Sequence, residues 1–265
     1  MRLWRLFQQA AIAAYQDNCF GIAKGVAYSG LLALFPVVTS IAAILFRANA
    51  EAVTHTLARV LYRVVPPGSE DLLRMQFVAR GHRPTWLVVV ATLLSVWAAS
   101  GAMMSLMEGF QACYRLPTGR SFLKQRGIAI LLVFIGALPA VGLSFLIAFG
   151  ARFLPGGRLA GAAIVFAAIA CVLLVTGLVY KVGPNRPIKL KYVWPGTLVA
   201  TGLWAVVTSG FGWYVRNLAN YNVMYGSIAA TIALLVWMYL LAVIALFGCE
   251  FNAERERLKT PLNER

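Results

Sequence analysis

The hydrophobic and polar positions of the chain separate into long apolar runs joined by short polar connections. Six runs are long enough to cross a bilayer: approximately Val26 to Phe46, Trp86 to Met107, Ile128 to Gly150, Leu159 to Tyr180, Val193 to Val215 and Gly226 to Cys249. About 20 residues of helix cross about 30 Å of hydrocarbon. None of the six runs contains Asp, Glu, Lys, Arg or His. All formal charge therefore lies in the tails and connections, as a lipid solvent demands of a helix bundle.

Two further elements lie outside these runs. In MRLWRLFQQAAIAAYQDN the apolar stretch is broken by Gln8 and Gln9, and AAIAAY is too short for the apolar core of a cleaved signal. Leu3, Trp4, Phe7, Ala11, Ala14 and Tyr15 instead recur at helical spacing, with Arg2, Arg5 and Gln9 off the stripe. This predicts a short amphipathic helix lying in the interface, with a solvated lead-in as the alternative. Between the first two runs, Val53, Leu57, Val60, Leu61 and Val64 form one helical stripe. PPGS ends it, Ser69 offers an N-cap, and EDLLRMQFVAR supplies a second amphipathic piece with acids in its first turn. This helical outer loop, Arg47 to Thr85, reads equally as a lid or partner-docking surface and as a connector lying on the membrane. The expected fold is all-α: a polytopic membrane protein with six transmembrane helices, one integral membrane domain over residues 1–254 and a short charged tail over 255–265.

Composition supports the membrane reading. The chain is 60% hydrophobic and 12% charged, with a mean hydropathy of +0.75, whereas soluble domains carry roughly a quarter charged residues. Of the 24 Lys and Arg, fifteen fall in the N-tail, the connections after runs two and four, and the C-tail. The positive-inside rule then places both termini in the cytoplasm. The net charge of +15 is accounted for by basic cytoplasmic loops facing anionic lipid headgroups. No basic soluble domain exists to form a nucleic-acid groove. Cys19 and Cys113 are expected on the cytoplasmic side, Cys171 inside run four and Cys249 at the end of run six, so the outer loops offer no disulfide. There is no CxxC and no Cys/His spacing typical of a metal site, so neither a metal nor a cofactor is expected.

Pro36 interrupts run one, and Pro139 with Gly142 interrupts run three, freeing backbone groups that need partners. Such breaks mark binding sites in transporters and also occur in purely structural helices. Small residues, as in AASGA around Ser100 and in GSIAA, permit close helix packing. The uncharged turn NYNVMYGS places Asn220, Tyr221, Asn222 and Tyr225 between runs five and six. Asn and Tyr can satisfy free backbone groups without the desolvation cost of a charge, so a folded-in outer hairpin is expected.

VAYSGLLALFP, WAASGAMMSLMEGFQACYRL with RSFLKQR, VYKVGPNRPIKLKYVWPGTLVATGLW, and YVRNLANYNVMYGSIAATIALLVWMYLLAVIALFGCEFNAE resemble successive motifs of the YihY/BrkB family of bacterial inner-membrane proteins. The resemblance runs from about Gly21 to Glu254, omits the long outer loop, and is most specific in its last block. It implies six transmembrane helices in the cytoplasmic membrane and a role in envelope maintenance, with loose links to serum resistance, transport and lipid export. A ribonuclease label also attached to that family finds no support in the residues. Metal-dependent nucleases need clustered His, Asp or Glu, and this chain has His55 and His82 in the outer loop and four of its nine acids in the C-tail. No enzyme activity is expected.

Within the matching motifs, Glu108, Tyr114, Arg120, Lys124 and Arg126 stand beside the membrane after run two. Arg binds phosphate bidentately and Lys adds a point charge, which suits an anionic headgroup; positive-inside anchoring without a ligand is the plainer alternative. A second basic segment, Lys181, Arg186, Lys189 and Lys191, follows run four and is stiffened by Pro184 and Pro187. Together the two would form a basic inner rim, though linear sequence does not bring them into contact. Glu250 and Asn252 end run six, and Glu250 is expected to pair with one of these arginines, the alternative being a gate.

Two functions compete at this level. One is translocation of an amphiphilic or anionic substrate such as a lipid, uncoupled from protons because the runs hold no buried acid or His, and without its own Walker motif. The other is a membrane scaffold for envelope proteins that moves nothing. Membrane lipids and a periplasmic partner are the expected contacts, and the sequence leaves the oligomeric state open.

Overall fold

The computed structural model describes residues 2–47, 85–117, 121–149, 158–217 and 228–259. Seven helices make up these residues, with no strand among them: α1 Arg2–Gln16, α2 Cys19–Arg47, α3 Thr85–Cys113, α4 Phe122–Phe149, α5 Arg158–Val182, α6 Leu190–Asn217 and α7 Ala229–Lys259. Among the described residues, five helices are long and apolar enough to cross a membrane: α2, α3, α5, α6 and α7. The fourth helix, α4, overlaps the third predicted run.

The surface is that of a protein solvated by lipid. Trp86, Leu93, Leu94, Phe134, Phe166, Leu198 and Val206 are all exposed on the helices, an apolar exterior that water would not support. The helices pack mainly against their neighbours in sequence, and α7 also packs against α1, α2 and α3. Half of the apolar window of α7 is buried, against no more than 24% of any other span, so α7 is the central post of the bundle.

One end of the bundle is packed most tightly. There the C-terminal half of α7 meets α1, the start of α2, the end of α3, the end of α5 and the start of α6. Gly196 of α6 and Gly248 of α7 let two backbones touch, since a Cβ added at Gly196 would lie 2.0 Å from the Gly248 carbonyl oxygen. Asn252 locks this crossing by accepting the Gly196 N–H at 2.6 Å. The Tyr180 hydroxyl donates to the Ala245 carbonyl at 2.7 Å, and the Phe110 ring meets Tyr180 edge-on at 5.4 Å. Buried polar groups matched in this way fix helix register where apolar packing alone would not.

One expectation is corrected and two gain detail. Helix α2 continues through Pro36 and α4 through Pro139, so neither proline breaks its helix; in lipid, neighbouring helices and small shifts of the ladder re-satisfy the freed carbonyl. The N-terminal helix forms; Leu6, Ala10, Ala13 and Ala14 dock it on the protein, and Trp4 and Tyr15 of the predicted stripe are exposed, as a lipid-facing stripe would be. Phe7 anchors it against Phe251, at 4.9 Å between ring centroids, and against Phe247. Helix α7 runs on to Lys259, so the charged stretch after residue 254 begins as helix. The helical outer loop and the hairpin residues Asn220, Tyr221, Asn222 and Tyr225 lie outside the described residues.

Candidate functional site

Arg126 stands in the second turn of α4, ahead of the apolar run that marks the predicted third span. Its side chain reaches α3 well inside the apolar stretch Val88–Cys113. The guanidinium carbon lies 3.7 Å from the centroid of the Trp97 ring. Nη2 donates to the Trp97 carbonyl at 2.8 Å, and Nη1 lies 3.2 Å from the Met104 sulfur. The Ser100 hydroxyl donates to the same carbonyl at 2.8 Å. Two residues expected in separate places, Ser100 in a cavity and Arg126 in a headgroup site, thus share one acceptor. Arg126 has no ion-pair partner among the described residues, and its Nε is buried without a hydrogen bond. Trp97 is 59% exposed, so the stacked pair lies on the lipid-facing side of α3 and α4.

Tyr114 and Arg186 fall at the tightly packed end. Tyr114 follows α3 and is buried; burial pushes its hydroxyl well above the ordinary tyrosine range, with nearby Cys249 and Glu256 adding to the effect and Arg186 opposing it. Arg186 lies over the Tyr114 ring at 5.9 Å and pairs with Glu256 at 2.7 Å. That contact ties Tyr114, just after α3, to the Lys181–Lys191 segment. Lys181, Lys189 and Lys191 are exposed, as are Glu108 and Lys124; Lys191 lies beside the Tyr192 ring. Arg120 lies outside the described residues.

Glu250 departs from its expected place. It is fully buried and forms no ion pair among the described residues, because the arginines take other acids: Arg257 pairs with Glu254 and Arg186 with Glu256. Arg257 also donates to the Cys113 carbonyl at 2.7 Å, placing a cation at the C-terminus of α3, where the helix dipole favours it. Glu250 instead faces Cys19, whose sulfur lies 3.7 Å from Oε1 and 3.8 Å from the sulfur of Cys113. Sequence spacing misses this cluster because its members come from three helices. The one available signal is that Cys19, Cys113 and Cys249 all fall at run ends on the same side.

Comparison with known proteins agrees with this architecture. A family model, Virulence factor BrkB, matches residues 12–265. The ribonuclease-like protein YfkH of Bacillus subtilis is 28% identical over 86% of this chain and 86% of its own length. UPF0761 membrane proteins of Alkalilimnicola ehrlichii and Chromobacterium violaceum are 28% and 26% identical over 89% and 95% of this chain. The chain spans only 55% and 63% of those two proteins. No solved structure matches. Apolar helices, lipid-type surface and family match converge: the chain belongs to the virulence factor BrkB (YihY/BrkB) family and is a multi-pass membrane protein.

Proposed function

We propose that this protein binds the anionic headgroup of a membrane lipid at Arg126 and moves it along the α3–α4 face, as part of envelope maintenance in the bacterial cytoplasmic membrane. The observation that carries the reading is an arginine inside the apolar zone, stacked on a lipid-facing tryptophan, without an acidic partner among the described residues. A charge at such depth is costly and is found where it pairs or serves a ligand. A guanidinium whose ring contact and carbonyl bond fix its plane presents its remaining donors to a phosphate at little entropic cost. Ser100 and Met104 hold the same geometry from α3. The exposed lysines of the 181–191 segment supply the longer-range field that gathers anionic lipid at one end of the bundle. No enzymatic step is part of this reading.

The test is leaflet exchange of a fluorescent anionic phospholipid in liposomes containing the purified protein. Arg126→Ala is expected to slow exchange about tenfold or more, the equivalent of losing one charge-assisted contact of about 1.5–3 kcal/mol. Arg126→Lys keeps the charge but not the fork and is expected to fall between the two. Wild-type exchange no faster than in empty liposomes would overturn translocation and leave the scaffold reading, which draws on the solid packing of the Gly196–Gly248 crossing.

A further inference from the structure

We infer that Cys19, Cys113 and Glu250 form a binding site for a thiophilic divalent cation of the zinc class, one that ties α2, α3 and α7 together at the tightly packed end. The three residues approach from the first residue of α2, the last residue of α3 and the interior of α7. One donor atom from each lies within 4.8 Å of the other two, and all three residues are buried. Zinc–sulfur bonds of about 2.3 Å and zinc–oxygen bonds of about 2.1 Å in a tetrahedron imply sulfur–sulfur separations of about 3.8 Å and sulfur–oxygen separations of about 3.6 Å. The observed separations are 3.8 Å between Cys19 and Cys113 and 3.7 Å between Cys19 and Glu250 Oε1.

A second, independent observation points to a ligand. Glu250 is wholly buried, its Oε2 accepts no hydrogen bond, and the Asp17 carboxyl is a close acidic neighbour, so the cluster gathers negative charge with no donor at Oε2 to balance it. An unsatisfied buried carboxylate oxygen costs a few kcal/mol, a cost that a metal ion sharing the carboxylate would remove. Cys249, adjacent in sequence and equally buried, belongs to the same packed cluster and interacts with Cys113, and it offers a further thiol close to the site. The Arg257 guanidinium, held on the Cys113 carbonyl, offsets the negative charge of two thiolates and a carboxylate around a divalent ion. Two sulfurs with one carboxylate oxygen match zinc better than calcium or magnesium, which take oxygen donors alone. Binding releases the protons of both thiols, so affinity rises with pH.

The experiment uses the full chain in detergent, reduced and stripped with a chelator, then titrated with Co2+ as a spectroscopic stand-in for Zn2+. One Co2+ per chain is expected, with a thiolate-to-cobalt charge-transfer band that Zn2+ abolishes by displacement. Cys19→Ser and Cys113→Ser should lose the band, and Glu250→Gln should weaken binding by more than about 100-fold, beyond what an outer-shell change does. Cys171→Ser, a change outside the cluster, should leave the titration as it is. Circular dichroism and gel filtration identify any variant that fails to fold, and Glu250→Gln, which keeps the side-chain shape, is the one on which the conclusion rests. Folded wild type without a charge-transfer band would overturn the site, as would a band that survives in the Cys19→Ser, Cys113→Ser double variant. A Cys19–Cys113 disulfide in freshly purified protein would also overturn it, by consuming both ligands.

Discussion

At the residue scale, the turn after α3 shows how backbone and charge cooperate. The Leu116 N–H bonds to the Gln111 carbonyl and the Arg115 N–H to the Ala112 carbonyl, the pattern of a Schellman cap, with Arg115 in the left-handed region at φ 50°. Glycine is the usual residue there, because a Cβ costs roughly 1 kcal/mol in that conformation. Arg115 returns part of that cost through its 3.3 Å pair with Asp17, a surface pair worth about 0–1 kcal/mol. Arg115→Gly is therefore expected to hold or raise stability by up to about 1 kcal/mol, whereas Arg115→Ala keeps the strained backbone and loses the pair. Detergent thermal unfolding should order them Gly, wild type, Ala; equal losses in both variants would remove the backbone from the explanation. Arg126 and Tyr114 were singled out from residue type and from the resemblance, but their contacts with Trp97 and Arg186 were not legible. The Cys19–Cys113–Glu250 cluster was not, because its members are separated by 94 and 231 positions and only the helix packing gives them a common depth.

At the element scale, hydropathy located the apolar helices, five of them long and apolar enough to cross a membrane among the described residues, but not where the helices end. The last predicted run stops at Cys249, yet α7 continues to Lys259. Apolar periodicity marks the part of a helix that touches lipid, whereas Glu250 and Asn252 are buried by neighbouring helices and so look like a tail in the sequence. The protein-docked face of α1 was not legible for a related reason: it is made of small side chains, Ala10 and Ala13, which a hydrophobicity pattern weights below the exposed Trp4 and Tyr15. Close approach is again the cause at the α6–α7 crossing. Gly196→Ala would put a methyl group against the Gly248 carbonyl and the Asn252 amide, forcing the helices apart at a cost of about 2–3 kcal/mol or more. Gly202→Ala, on the same helix with open space around its Cβ, should be neutral or stabilising by up to about 1 kcal/mol from helix propensity. Denaturant unfolding in mixed micelles distinguishes the two, and equal behaviour would contradict the backbone contact at Gly196.

At the scale of the whole molecule, the meeting of the chain's ends constrains its topology. Cys19 at the start of α2, Cys113 at the end of α3 and Glu250 near the end of α7 come together, and Arg186 between α5 and α6 reaches Glu256 of α7. These positions therefore share one side of the bundle. Between Cys113 and Arg186 the chain passes through α4 and α5, and α5 is apolar and long enough to cross. The chain returns to the side it left only if α4 crosses as well, so parity predicts an even number of crossings, six in all. The exposed lysines at this end, Lys181, Lys189 and Lys191, predict that the shared side is cytoplasmic. In a Cys171→Ser background, Lys124→Cys and Lys189→Cys should react with a membrane-impermeant maleimide only in inverted vesicles, and Arg158→Cys only in right-side-out cells. Labelling of Arg158→Cys from the same side as Lys124→Cys would show that α4 does not cross. Labelling of all three from the opposite faces would keep the six crossings and reverse the orientation, moving the thiol cluster to the oxidising side, where a Cys19–Cys113 disulfide would compete with metal binding.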